Sequence, residues 1–219
     1  MKRTFLGKER PMTVGLIQKS TCEECVSLAL DSIGGGADAV GLQLETLPDT
    51  EKTDEKLRRI LDSLGGKPCY FTNYRYGRND GKTDETLARE LVRFTQLGGT
   101  LADIPGDFFD KSAVVGGKRE SCRYPECTTD EKAIAEQKER IAEIHGAGGE
   151  VLMSSHVMRF LPAEEVLSIA LDFESRGADV VKIVTAANST EEEIENLRTT
   201  ALLKKELKAP FLFLSGGTH

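Results

Sequence analysis

Two short segments in the second half of the chain carry side chains suited to carbonyl chemistry. In "ADVVKIV" (178–184) one lysine, Lys182, stands inside a run of branched apolar residues. Side chains alternate along a strand, so Val180, Lys182 and Val184 share one face while Val181 and Ile183 take the other. Burying an amine disfavours its charged form and lowers its pKa, which is how a lysine becomes a nucleophile towards carbonyl carbons. A lysine paired with an interior carboxylate, or one snorkelling from a strand end, fits the same pattern. In "EVLMSSHV" (150–157), His156 shares a face with Ser154 and Leu152 and lies near the C-terminal end of its strand, as Lys182 does of the next. A histidine beside an imine-forming lysine supplies a base that shuttles protons near neutral pH. Alone it would read as a structural core residue; the paired placement favours chemistry.

The elements that must position this pair alternate along the whole chain. Strand-like segments at 12–18, 37–47, 67–75, 99–105, 150–157, 178–185 and 210–217 are separated by helical ones at 21–33, 53–64, 84–98, 128–148, 163–177 and 190–207. The first helix opens on Thr21 followed by glutamates, a capping pattern. Strands alternating with helices of about a dozen residues argue for parallel βαβ units. Seven near-continuous apolar strands point to a single α/β domain over 1–219, a (β/α)8 TIM barrel lacking its last unit. Adjacent strands and a functional rim at their C-terminal ends then bring Lys182 and His156 to one place. A doubly wound sheet is the rival, but "GLIQKSTCEEC" after the first strand has no G-x-G-x-x-G, and there is no Walker loop.

Composition excludes several function classes. With 29 basic against 36 acidic residues and a formal charge of −7, the chain has no counterion-releasing surface for nucleic acid. No apolar run of about 18 residues suggests a membrane span, and no h-region follows the basic start. A cytoplasmic location follows by default. Five cysteines are too few for a disulfide scaffold.

"EVLMSSHV" followed by "ADVVKIV", after "ADAVGLQLETL" and "KPCYFTNYR", resembles the type I 3-dehydroquinate dehydratase family, in the same order and at similar spacing over most of the chain. The resemblance implies a Schiff-base TIM barrel of the shikimate pathway, losing water from 3-dehydroquinate to give 3-dehydroshikimate without metal or dissociable cofactor. It also implies Lys182 as the imine nucleophile and His156 as general acid and base. The family's second strand ends in E-W-R-x-D, whereas Gly41, Leu42, Gln43, Leu44 and Glu45 stand here, keeping only the last acid. Its third strand reads roughly F-T-F-R with a glutamate four residues on. This chain has Phe71, Thr72, Asn73 and Tyr74, then Arg75 one place late and Arg78 where the glutamate would fall, with Asp80 or Glu85 as substitutes. Gln43, Glu45, Thr72, Tyr74, Arg78 and Ser154 are therefore the expected substrate contacts.

Other readings stay open. A changed ketone or aldehyde would make the chain a Schiff-base lyase or aldolase on another small carbonyl substrate, and a catalytically retired metabolite-binding barrel is possible too. Barrels of this kind commonly form homodimers. "CEEC" and "CRYPEC" place Cys22, Cys25, Cys122 and Cys127 after strands, where four thiolates could hold zinc; half-buried thiols are the plainer reading. Lys118, Arg119 and Arg123 could offer rim cations to an anion, although a solvated loop suits them better. "SGGTH" (215–219) could offer backbone N–H groups to an anion, or is simply a turn.

Overall fold

The computed structural model of the protein describes residues 4–7, 11–115, 118–119 and 127–218. In chain order it contains β1 (Val14–Ile17), α1 (Cys22–Gly34), β2 (Ala39–Gln43), α2 (Asp54–Ser63), β3 (Cys69–Thr72), α3 (Asp84–Gln96) and β4 (Leu101–Pro105). A two-residue hairpin, β5 (Val114–Val115) and β6 (Lys118–Arg119), precedes α4 (Glu131–Gly146), β7 (Glu150–His156), α5 (Ala163–Arg176), β8 (Val180–Ala187), α6 (Thr190–Glu206) and β9 (Phe211–Gly217). All seven expected strands and six expected helices are present, in the α/β alternation of the barrel class. The hairpin falls in the stretch read as a solvated loop, where Lys118 and Arg119 form β6 and Arg123 lies outside the described residues.

The chain divides into two compact units, Met1–Asp103 with Ala142–Glu150, and Ile104–Ile141 with Val151–His219. In the first, β1, β2, β3 and β4 follow one another as parallel neighbours. Helix starts are set by hydroxyl caps: Thr21, Thr53 and Thr83 accept from the backbone N–H of Glu24, Lys56 and Thr86. Amphipathic α2 and α3 bury Leu57, Ile60, Leu87 and Leu91, and Phe71 meets Phe94 edge-on with centroids 4.7 Å apart, a pairing worth about 0.5–1.5 kcal/mol beyond area burial.

In the second unit β7, β8 and β9 are parallel neighbours in that order. Val181, Ile183 and Thr185 are buried together with Val166, Ala170 and Phe173 of α5. Ser189 caps α6 at Glu192, whose side chain in turn accepts from Asn188 N–H. The last strand stops on Gly217 at φ 108°, where an added Cβ would stand 2.1 Å from the Ala187 carbonyl oxygen, so only glycine permits β9 to run that close to the end of β8. No helix among the described residues is long and apolar enough to cross a membrane.

Candidate active site

Register in the second unit fixes what surrounds the lysine. Ser154 of β7 is paired with Lys182 of β8, and Lys182 with Leu212 of β9; one step on, His156 pairs with Val184 and Val184 with Leu214. In a parallel sheet, paired residues project to the same side. Lys182, His156 and Ser154 therefore share one face, with Ser154 buried and Lys182 and His156 half-buried. The predicted alternation holds, since Val181 and Ile183 on either side of Lys182 are buried at 1% exposure each.

Past β7 the backbone is held against β8: Val157 N–H donates to the Val184 carbonyl at 2.7 Å, and Ala186 N–H to that of Arg159 at 3.1 Å. Between these bonds Met158 adopts φ 51° and is 61% exposed. The other non-glycine residue with positive φ among the described residues is Phe109, at 68° and just beyond β4. Both strained turns follow strand C-termini in this unit, the end of the fold where barrel enzymes keep their chemistry.

A buried arginine not singled out in the sequence braces the same unit. Arg176, at the end of α5, donates from Nη1 to the Gly106 carbonyl and Gln137 Oε1, and from Nη2 to the Thr128 carbonyl at 2.7 Å and to Asp172 Oδ2. Gln137 donates onward to the Gly106 and Phe108 carbonyls at 3.1 and 2.9 Å. Carbonyls that leave β4 without strand partners are thus satisfied by side chains, which fixes the turn carrying Phe109.

The remaining expected contacts lie in the first unit. β2 stops at Gln43, two strand positions short of Glu45, because the chain turns into a 3-10 segment over Leu44–Thr46. Gln43 accepts from Gln18 Nε2 at 2.9 Å, and Glu45 is fully buried with Thr72 Oγ1 at 2.9 Å from both carboxylate oxygens. Burial pushes the Glu45 carboxyl above its usual range, the Thr72 hydroxyl and backbone bonds offsetting part of this. Gly77, at φ +68°, lets the following loop close over it, since a Cβ there would stand 2.6 Å from the Glu45 carbonyl oxygen.

Tyr74 donates to Asp103 Oδ2 at 2.6 Å, as does Tyr70 at 2.5 Å. Burial, reinforced by the neighbouring Asp103 charge, raises both hydroxyls well above the usual tyrosine range and keeps them as donors. Sequence reading missed Tyr70 and Asp103. The available signal was an acid in the middle of the apolar strand "LADIP", the kind of misfit that marked Lys182.

The displaced arginine has its own partner. Arg75 meets Asp84 in a buried two-point pair, Nε to Oδ1 at 2.8 Å and Nη2 to Oδ2 at 3.0 Å. Arg78 and Asp80 are exposed, and Glu85 pairs with Arg89 one helical turn along α3. The loop between them is tied down by Asn79, which donates to Asn73 Oδ1 and the Tyr74 carbonyl at 2.8 Å each and accepts from buried Lys52 at 3.0 Å. Lys52 also meets Glu90 at 3.1 Å, as Lys82 does at 2.7 Å.

Cys22 and Cys25 are buried on α1, and burial pushes Cys25 up to about 12. Cys127, also raised by burial, to about 11, contacts Asp172 and Arg176. Cys122 lies outside the described residues. Protonated thiols in a core are poor metal ligands.

The chain is thus a parallel α/β barrel-type fold with a half-buried lysine and histidine on adjacent strands. Residues 125–219 match the family model of type I 3-dehydroquinase. The chain is 30% identical over 149 residues to the 3-dehydroquinate dehydratase of Alkaliphilus oremlandii, an alignment spanning 60% of this chain and 56% of that protein's length. Among solved structures, the 3-dehydroquinate dehydratase of Enterococcus faecalis superposes with a TM-score of 0.73 at 20% identity, covering 97% of this chain and 82% of that one. The type I enzyme of Clostridium difficile gives 0.75 at 16% identity, covering 98% and 81%. Over residues 125–219 and in its fold the chain is similar to type I 3-dehydroquinate dehydratases, and its alignment spans little more than half the length of the A. oremlandii relative.

Proposed function

We propose that the chain acts as a Schiff-base hydro-lyase on 3-dehydroquinate, with Lys182 as nucleophile and His156 as general acid and base. The Lys182 amine adds to the ketone carbon and water leaves, giving an imine. His156 takes a proton from the carbon beside the imine, the electron pair moves to expel the hydroxyl on the next carbon, and the same imidazole returns the proton to that leaving oxygen. Hydrolysis of the imine releases 3-dehydroshikimate and the lysine. The observation that carries this reading is the shared face of Lys182 and His156 on paired strands, both half-buried. The family match over residues 125–219, which includes both, supports it, and the C. difficile relative was solved with covalent modified comenic acid.

A second reading, an imine with another small carbonyl compound, is favoured by the first unit, where Arg75 is committed to Asp84. The two separate on borohydride trapping. Incubation with 3-dehydroquinate, reduction and peptide mass spectrometry are expected to place one adduct on Lys182 and none in Lys182→Ala. An unlabelled folded protein would sink the dehydroquinate reading, and labelling by other ketones alone would establish the second.

A further inference from the structure

We infer that residues 73–82 form a proton-controlled lid over the C-terminal ends of β2 and β3, latched by the Glu45 carboxyl in its protonated form and loosened when that carboxyl ionises. The inference depends neither on Lys182 nor on 3-dehydroquinate. Glu45 lies in the 3-10 segment that follows β2 and has no solvent exposure. Its carboxyl meets the Thr72 hydroxyl at the end of β3 and the backbone N–H of Tyr74, two residues further on. The chain then crosses that segment. Gly77 packs on the Glu45 carbonyl with no room for a Cβ, and Tyr76, Gly77 and Arg78 face solvent over the buried acid.

An ionised Glu45 is the state this arrangement penalises. Burial is the largest influence on the carboxyl and favours its neutral form; hydroxyl and amide donors offset part of that, and the Asp103 charge on β4 adds to it. Asp103 is itself fully buried and receives the Tyr70 and Tyr74 hydroxyls from β3. The cations of the lid are engaged elsewhere or face water: Arg75 pairs with Asp84 at the start of α3, Lys82 with Asp49 and Glu90, and Arg78 is exposed. Lys52 bonds the lid at Asn79 and meets Glu90 beyond it. Asn79 also bonds Asn73 and the Tyr74 carbonyl, which ties the covering backbone into one piece. Hydrating the carboxylate therefore means lifting that piece, and the open form uncovers Thr72 at the strand end.

Amide exchange followed by NMR tests this at Tyr74, Asn79 and Lys82, whose N–H groups are bonded to the Glu45 carboxyl, the Tyr76 carbonyl and the Asn79 carbonyl in the closed loop. The closed form holds a proton that the open form releases. Where reclosing outruns exchange, and after correction for intrinsic rates, opening in the wild type is expected to rise by up to about tenfold per pH unit from 4.5 to the folded pKa of Glu45, then level off. Glu45→Gln, which keeps the shape but cannot ionise, should show no such slope. Gly77→Ala, which denies the close approach, should raise opening at every pH and flatten its slope.

A wild-type slope that persists in Glu45→Gln assigns the proton to another group and overturns the lid. A flat wild-type profile does the same, and decides the matter even where a variant fails to fold. Exchange at the three amides no faster than at the amides of β3 means that the loop leaves only when the whole unit unfolds, and this too overturns the inference. So does a folded Gly77→Ala protein whose opening is unchanged, because the crest would then not be closed on Glu45.

Discussion

The two compact units hold polar side chains near their strand ends at different depths. In the first, Asp103 is bonded by two tyrosines, Glu45 by Thr72, and Arg75 by Asp84. In the second, Arg176 is similarly consumed by carbonyls and Gln137, but the β7–β9 face keeps its lysine and histidine half-buried beside exposed leucines. A charge whose bonding capacity is already used costs little to keep buried, yet any ligand must first break those bonds. A group at intermediate exposure is already open to solvent on one side, so a ligand can approach it without entering the core. On the imine-forming reading of Lys182, the chemistry would rest on β7 and β8, and the buried polar cluster of the first unit would chiefly maintain its fold.

The largest expected departure comes from His156. Replacing it with alanine removes the proposed proton shuttle but not the nucleophile, so turnover of 3-dehydroquinate should fall about 10²–10⁴-fold while borohydride still traps an adduct on Lys182. Loss of the trapped adduct in a folded His156→Ala protein would break the division of labour within this face.

Next is the pair that holds the displaced arginine. Asp84→Ala strands Arg75 at 3% side-chain exposure without its carboxylate, and breaking such a buried pair costs about 3–5 kcal/mol. Urea unfolding should register this, and borohydride trapping of 3-dehydroquinate at Lys182 in the folded fraction should not change. A stable Asp84→Ala protein with altered ligand preference would instead make Arg75 a ligand-binding residue and reverse the comparison.

How far the sequence could carry these conclusions differs by level. Alternating apolar runs, with the Thr21 cap at the first helix, located every strand and helix of the βα repeat, because periodicity is local. Lys182 and His156 stood out for the same reason: each interrupts a pattern that alternation makes legible, and strand register follows from topology. Arg75 was visible only as an arginine one residue late, and its pairing with Asp84 depends on how the loop bends at Gly77. The end of β2 was placed too far along because "LETL" continues the apolar pattern while the backbone turns at Leu44. Arg176 did not stand out, because an arginine in the last turn of a helix is ordinary; its partners at Gly106 and Thr128 lie 70 and 48 residues away in sequence, a separation that no local pattern encodes.

The smallest expected effect contrasts two carboxylates inside the first unit. Burial raises Glu45 above its ordinary value of 4.5, with only neutral hydrogen-bond donors to offset it. Glu90 is also pushed upward by burial, but bonds from Lys82, Asn73 and Lys52 with the Lys52 charge outweigh this and leave it below 4.5. For Glu45 the native state holds a proton that the unfolded chain releases, so stability falls as pH rises from 4.5 through its folded pKa. For Glu90 the sign is reversed: its contribution is present above 4.5 and lost as pH falls through its lower folded pKa. Urea titrations from about pH 3 to 8 should therefore show Glu45→Gln gaining on wild type as pH rises above 4.5, and wild type losing its advantage over Glu90→Gln as pH falls below 4.5. A Glu45→Gln protein destabilised equally at every pH would mean that the Glu45 proton is not what the fold retains, and that its carboxylate is held ionised by a partner in the same cluster.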